Sequence, residues 1–167
     1  MPHGSVIKFH VTYDEPFWRA DGLSGQAFDP SMPMAWTLDN TPARGSPGVL
    51  VGFFQARAAR QYGSATMDVR RRVAVQCLQR FFGSRAADPG EYLELDWSAE
   101  KWTRGCYFGQ PTPGAWTHFG RTLREPCGKI HWAGAETAVH WNGYMDGAVE
   151  SGERAAQEVS AALDATK

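Results

Sequence analysis

The stretch Gly134-Ala135-Glu136-Thr137-Ala138, followed by Trp141-Asn142-Gly143-Tyr144-Met145-Asp146-Gly147-Ala148, gathers residue types that can do chemistry at close spacing. It reads as a Gly-bounded loop that opens onto a helix rich in small residues. The first N–H groups of such a helix have no intrahelical acceptor and sit at the positive end of its dipole. They suit an anionic or electron-rich group. The same residues also make a plain tight turn between a strand and a helix, and the pattern alone weighs the two readings equally. Elsewhere the candidate chemistry is thinner. His3, His10, His118, His131 and His140 have no metal-ligand spacing, so no metal site is expected. Cys77, Cys106 and Cys127 are odd in number and widely spaced, a poor disulfide framework and a poor zinc site. No Gly-x-Ser-x-Gly elbow and no Walker loop occurs.

Alternation places strands at Val6–Tyr13 and Tyr92–Trp97, with Lys8 on the more polar face of the first. Pro16 ends that first strand. Short strands are expected around Gly25 to Phe28 and Met34 to Leu38, and a buried one over Val49 to Phe54. A short helix over Gln55 to Tyr62 stops at Gly63. The clearest helix is capped by Thr66 and ends at Gly83, with an apolar stripe of Val69, Val73, Val75, Cys77, Leu78, Phe81 and Phe82. Arg70, Arg71, Arg72 and Arg80 on it read as a solvated face rather than a nucleic-acid patch. Residues 102–128 form a long structured loop region, and Ile130–Gly134 a short strand. The last helix runs from Gly143 to Leu163, with Tyr144, Ala148, Gly152, Ala155, Val159 and Leu163 along its buried face. The interleaving gives a mixed fold class, α+β or α/β. The chain has 167 residues, is 43% hydrophobic and carries a net charge of -1, which gives no footprint for nucleic acid or an anionic membrane. No apolar run approaches the ~20 residues that span a bilayer. The start, Met1-Pro2-His3-Gly4, is not secretory, and the end at Lys167 follows a polar-flanked helix, so the expected location is cytoplasmic. Aromatic residues make up 13% of the chain, which fits a thick core or a pocket for a flat or apolar ligand.

The run from Ile130 to Ala156, His131-Trp132-Ala133-Gly134-Ala135-Glu136-Thr137 through Trp141-Asn142-Gly143-Tyr144-Met145, closely resembles the C-terminal flavin motif of the flavin-dependent monoamine oxidases. Gly4-Ser5-Val6-Ile7-Lys8, Glu15-Pro16-Phe17-Trp18-Arg19, Trp36-Thr37-Leu38-Asp39-Asn40, Gly105-Cys106-Tyr107 and Gly120-Arg121-Thr122-Leu123-Arg124 resemble landmarks of the same family in the same order. The resemblance covers about the whole chain. It implies FAD as cofactor, a small-molecule amine and O₂ as substrates, and oxidative deamination of a primary amine to aldehyde, ammonia and hydrogen peroxide. It gives Lys8, Tyr107 and Tyr144 catalytic roles: Lys8 as the lysine holding a water at the flavin, the tyrosines as two facing rings that admit a neutral amine. It gives Cys106, Trp97, Gly134, Ala135, Gly143, Tyr144 and Met145 places around the flavin. Cys106 matches the cysteine that forms a thioether to the flavin 8α-methyl in animal members, with Arg104 a nearby cation that could favour the thiolate. Thr103-Arg104-Gly105 departs from the family's usual small residues there, and Ala135 stands where Thr is common.

The same resemblance marks a gap. The family begins with a Rossmann unit whose Gly-x-Gly-x-x-Gly loop holds the FAD pyrophosphate, and no such motif is present. The expected organisation is therefore the C-terminal part of a two-domain fold: 1–99 from the substrate-binding domain and 100–167 from the FAD-binding domain. Such a chain is expected to expose an apolar patch and to be inactive alone, with an N-terminal half supplied by another chain or lost by truncation. Two other readings stay open: a catalytically silent remnant acting as a protein-interaction module, and an unrelated small α+β binding protein. The set Lys8, Cys106, Tyr107 and Tyr144 favours the enzyme.

Overall fold

The computed structural model describes residues 2–165. The readings that touch Met1 and Lys167, the two chain ends, lie outside the described residues. The structure divides into two compact units. Ser5–Cys106 forms one; the residues before it and those from Tyr107 onward form the other.

The first unit is built on one antiparallel sheet of five strands: β1 (Val6–Tyr13), β2 (Ala27–Phe28), β3 (Trp36–Asp39), β4 (Gly48–Gln55) and β5 (Tyr92–Asp96). Their order is β2-β3-β4-β1-β5. Three helices accompany them: α1 (Phe17–Ala20), α2 (Arg57–Gly63) and α3 (Met67–Phe82). The two-residue alternation of β1 sorts its side chains between two faces. Ile7, Phe9, Val11 and Tyr13 join Leu50, Phe54, Trp18, Leu78 and Phe82 in the main core. Phe9 pairs with Gly52 across the β1–β4 ladder. A Cβ at Gly52 would stand 2.5 Å from Phe9 Cζ and from Met34 Sδ, so glycine makes room for the aromatic ring.

Thr66 caps α3 as expected, its hydroxyl accepting the Val69 N–H at 3.4 Å, and Gly83 closes the helix at φ 79°. The buried stripe is shifted from the expected one. Ala74, Cys77, Leu78 and Phe82 are buried, whereas Val69 is exposed and Val75 is only half-buried. The Arg70 reading also needs correction. Its side chain is 13% exposed, not solvated, and its guanidinium forks the Glu94 carboxylate of β5, which is 6% exposed. The same guanidinium donates to the carbonyls of Tyr62 and Ala65, and Tyr92 Oη donates to Glu94 at 2.8 Å. A fully paired carboxylate–guanidinium fork is tolerated at that depth because every polar atom has a partner.

The second unit has no named strand among its described residues. It holds α4 (Ala115–Phe119), α5 (Met145–Asp164) and single turns of 3₁₀ helix at Gly120–Leu123 and Ala135–Thr137. The strand expected over Ile130–Gly134 does not form. Cys127 and Ile130 exchange backbone bonds across a turn, and residues 131–134 then run without a ladder. The sheet lies wholly in the other unit, and a strand without a partner has no ladder to join. Helix α5 supplies the substitute. Gly134 N–H donates to Ser151 Oγ at 2.9 Å, Trp132 O accepts from Arg154 at 2.8 Å, and His131 Nδ1 meets Glu158 at 3.0 Å. The helix face that packs is thus the polar row Gly147, Ser151, Arg154 and Glu158. Tyr144, Val159 and Leu163 of the expected buried face are exposed.

Candidate functional site

The second face of the sheet carries Lys8. Across the ladders Lys8 pairs with Phe53 of β4 and Leu95 of β5. Its neighbours on that face are Val6, His10, Val51, Leu38 and Trp36, so Lys8 is the sole formal charge among the described strand residues there. Trp36 and Phe53 stack with centroids 4.6 Å apart and planes 16° apart, and Lys8 Nζ stands 6.0 Å from the Phe53 centroid. Gln55 accepts the Trp36 indole N–H at 3.1 Å, which fixes the ring plane. Cavities of about 490 and 510 Å³ adjoin this pair, the first against Phe53 and Tyr62, the second against Phe28 and Trp36. Trp97 and Cys106 pack against the small cluster of Val6, Val51 and Phe53 on the same face. Trp97 is anchored there by its own N–H, which donates to the Val6 carbonyl at 3.0 Å.

Burial pushes the Cys106 thiol up, and Lys8 works against that shift by favouring the thiolate. The cation acting on Cys106 is therefore Lys8. Arg104, expected in that role, instead turns its Nε toward the Lys101 carbonyl at 3.4 Å. Burial, and then Lys8, lowers the pKa of His10, so this imidazole is neutral at neutral pH and Lys8 keeps its position as the cation of the face.

Tyr107, Gly134, Ala135, Gly143, Tyr144 and Met145 lie in the other unit. The Phe108 ring sits on Gly143, where a Cβ would be 2.8 Å from Phe108 Cδ1 and where φ is +82°, so both space and backbone require glycine. Phe108 follows Tyr107 and Gly143 precedes Tyr144, so this contact carries the two tyrosines on adjoining backbone. Both rings are exposed, Tyr107 at 56% and Tyr144 at 65%. The turn between Gly134 and Gly143 is tied internally. Gly143 N–H donates to Ala135 O at 3.1 Å and Thr137 Oγ1 to Gly134 O at 2.9 Å. Arg124 donates to the carbonyls of Thr137 and Ala138 at 3.0 and 3.1 Å. The Gly143 N–H is thus spent inside the turn, and the Gly134 N–H on Ser151 Oγ of α5. The first N–H groups of α5 have no intrahelical acceptor; Met145 and Asp146 are exposed there, while Gly147 is buried against the Trp141 and His140 carbonyls.

The structure gathers Lys8, Trp97 and Cys106 on one sheet face, and Tyr107, Gly134, Ala135, Gly143, Tyr144 and Met145 around one turn. Sequence reasoning missed Trp36 and Phe53, although pairing β1 antiparallel to β4 would have put Phe53 opposite Lys8. It also gave no role to Glu136, Arg124 and Arg154: the first two bind backbone groups, and Arg154 binds Trp132 O, Thr137 Oγ1 and Glu158, partners that only the fold brings near. Among the described residues no group of three His, Cys, Asp or Glu side chains converges as metal ligands. No helix among them is long and apolar enough to cross a membrane.

A model of the flavin containing amine oxidoreductases matches residues 1–160. The chain is 43% identical over 166 residues to an amine oxidase [flavin-containing] of Danio rerio, covering 98% of this chain and 32% of that protein. It superposes on a putrescine oxidase bound to putrescine with a TM-score of 0.89 at 36% identity, covering 95% of this chain and 36% of the other. Against the cyclohexylamine oxidase from Brevibacterium oxydans IH-35A the TM-score is 0.91 at 33% identity, covering 98% and 36%. The chain spans about a third of the length of the curated relatives it matches. Each unit by itself holds residue types that suit a flavin: in one, the backbone amides that begin α5; in the other, the Lys8 ammonium with Trp97 and the Cys106 thiol packed against the same small cluster.

Proposed function

The chain belongs to the flavin-containing amine oxidoreductase family, and from that premise we propose that it supplies the C-terminal, flavin- and substrate-facing part of an FAD-dependent amine oxidase. The reaction proposed is oxidative deamination of a primary amine with O₂, giving aldehyde, ammonia and hydrogen peroxide. Bound FAD would supply the redox chemistry, taking two electrons from the amine and passing them to O₂. An N-terminal portion carrying the pyrophosphate-binding loop would complete the cofactor site. Residues 1–99 would then be the substrate-domain part and residues 100–167 the FAD-domain part.

The chain's own residues divide the work. Met145 and Asp146 would donate backbone N–H groups to the electron-rich edge of the cofactor, strengthened by the α5 dipole. Trp97 would lie beside the cofactor ring, and Gly134, Ala135 and Gly143 would let backbone approach it closely. Lys8, a cation set among Phe53, Val6 and Val51, would hold a water by donation and stabilise negative charge as O₂ is reduced. Tyr107 and Tyr144 would flank the amine and orient its lone pair. Cys106 would supply the thiolate for a covalent link to the cofactor. The observation that carries this reading is the convergence of Lys8, Trp97 and Cys106, distant in sequence, on one sheet face.

The test is to purify the chain alone and together with the N-terminal FAD-binding part of a relative. The expected result is a colourless, inactive chain alone and a yellow assembly that produces peroxide from an amine. A colourless assembly, or one inert toward benzylamine, tyramine and putrescine, overturns the proposal. Acid precipitation reads the link: flavin stays in the pellet with Cys106 and moves to the supernatant in Cys106→Ala.

A further inference from the structure

Glu136 stands between the two segments that carry Tyr107 and Tyr144. Its carboxylate Oε1 accepts the Gly109 N–H at 2.7 Å, a backbone amide of the Tyr107-Phe108-Gly109 strip. Its backbone carbonyl accepts Asn142 Nδ2 at 2.9 Å, and the preceding carbonyl, of Ala135, accepts the Gly143 N–H at 3.1 Å. The Phe108 ring on Gly143 closes the circuit. Glu136 therefore joins the backbone beside Tyr107 to the Asn142 side chain, and its neighbour Ala135 takes the Gly143 N–H, next to Tyr144. The half-buried carboxylate receives an amide rather than a cation, and bonds from N–H to an ionised carboxylate are short and strong.

We infer that Glu136 is a positioning residue, fixing the separation of Tyr107 and Tyr144 through its side chain on one segment and its backbone on the other. The inference rests on the proposal that those rings flank the amine. Tyr144 meets the Trp141 ring edge-on at 5.8 Å, and the backbone that Glu136 ties carries both tyrosines. The Gly134 turn that contains Glu136 is itself pinned by Ser151, Arg124 and Arg154. Without the carboxylate, the Tyr107 strip loses its side-chain tie to the Gly134 turn, while the Phe108 ring on Gly143, Gln110 N–H to Pro2 O at 2.8 Å and the His3–Gly109 bridge stay.

Amide hydrogen exchange on the full chain tests this without cofactor. Glu136→Ala should raise exchange about 10-fold at Gly109, which loses its acceptor, and also at Gly143, whose own acceptor is the untouched Ala135 carbonyl. Glu136→Gln keeps an acceptor oxygen in place and should leave both amides near wild type. A rise at Gly109 alone, no rise at either, or a Gln variant that behaves like Ala overturns the inference. Should Glu136→Ala lose its folded circular dichroism spectrum, Asn142→Ala reads the circuit from the other side: exchange at Gly109 must rise with that at Gly143, and an unchanged Gly109 overturns it. In the flavin-loaded protein, Glu136→Ala should lower kcat about 10- to 100-fold, a misplacement effect, with Gln restoring it. A wild type that oxidises no amine sinks the proposed function, while the exchange result still decides the role of Glu136.

Discussion

Lys8 is one ammonium with three neighbours that matter: the Phe53 ring, the His10 imidazole and the Cys106 thiol. Burial disfavours the thiolate of Cys106 and Lys8 favours it, so removing the charge leaves burial unopposed. The pKa of Cys106 is already raised, and Lys8→Met should raise it further. The thiolate is the form that alkylates, so at any pH below the midpoint the variant reacts more slowly. Iodoacetamide modification followed against pH by peptide mass mapping checks this, with exposed Cys127 as the internal standard. An unshifted Cys106 profile removes Lys8 as its electrostatic partner. At this scale the sequence was a partial guide. Lys8, Cys106 and Tyr144 were marked by resemblance. The Lys8–Cys106 coupling was not, because it depends on the chain folding residues far apart onto one face, and Arg104, next but one to Cys106, was the misleading local choice.

Elements were legible where one periodicity decided them. β1 alternates cleanly because one face is core, and α3 announces itself by Thr66 and Gly83. The strand expected over residues 130–134 failed because strand formation depends on a partner, which local pattern does not encode. The α5 face was misjudged because a polar row, Ser151, Arg154 and Glu158, packs by hydrogen bonds while apolar residues stay outside. The β3 terminus shows how such bonds hold elements together. Asp39 accepts the Trp18 indole N–H at 2.8 Å, Arg19 Nε at 2.7 Å and the Thr41 N–H at 2.8 Å, tying α1 to β3. Burial works to raise its pKa, but bonds from Arg19, Thr41 and Trp18 outweigh it and hold the carboxyl well below the usual range. A depressed folded pKa means stability that is present above the unfolded pKa and lost as pH falls through the folded one. Asp39→Asn should therefore cost about 2 kcal/mol at neutral pH, where charge-assisted bonds are lost. Its Tm deficit should narrow as pH drops below the ordinary carboxylate range. A deficit constant with pH rules out the charged bonds as its source.

At the scale of the molecule, α5 presents a second, apolar row opposite in character to the one it uses. Val149, Gly152, Ala156, Val159 and Leu163 recur at the alternating three- and four-residue spacing of a packing face. Val149 is 63% and Val159 40% exposed, and a Cβ at Gly152 would meet nothing within 4 Å. Burying such a side chain is worth roughly 1.5 kcal/mol or more, so a row of them left in water favours association. The chain spans about a third of its relatives' length, and the proposed N-terminal FAD-binding portion is the occupant that follows. The chain alone should then self-associate with rising concentration in sedimentation velocity. The Val149→Glu, Val159→Glu double variant should stay monomeric with an unchanged circular dichroism spectrum, since both residues are exposed and outside the core. Mixed with the N-terminal FAD-binding part of a relative, the wild-type chain should form a one-to-one yellow complex and the double variant should not. A double variant that still assembles and turns yellow would mean that the row faces solvent in the enzyme too, and that the N-terminal portion docks through the polar turn around Gly134 instead.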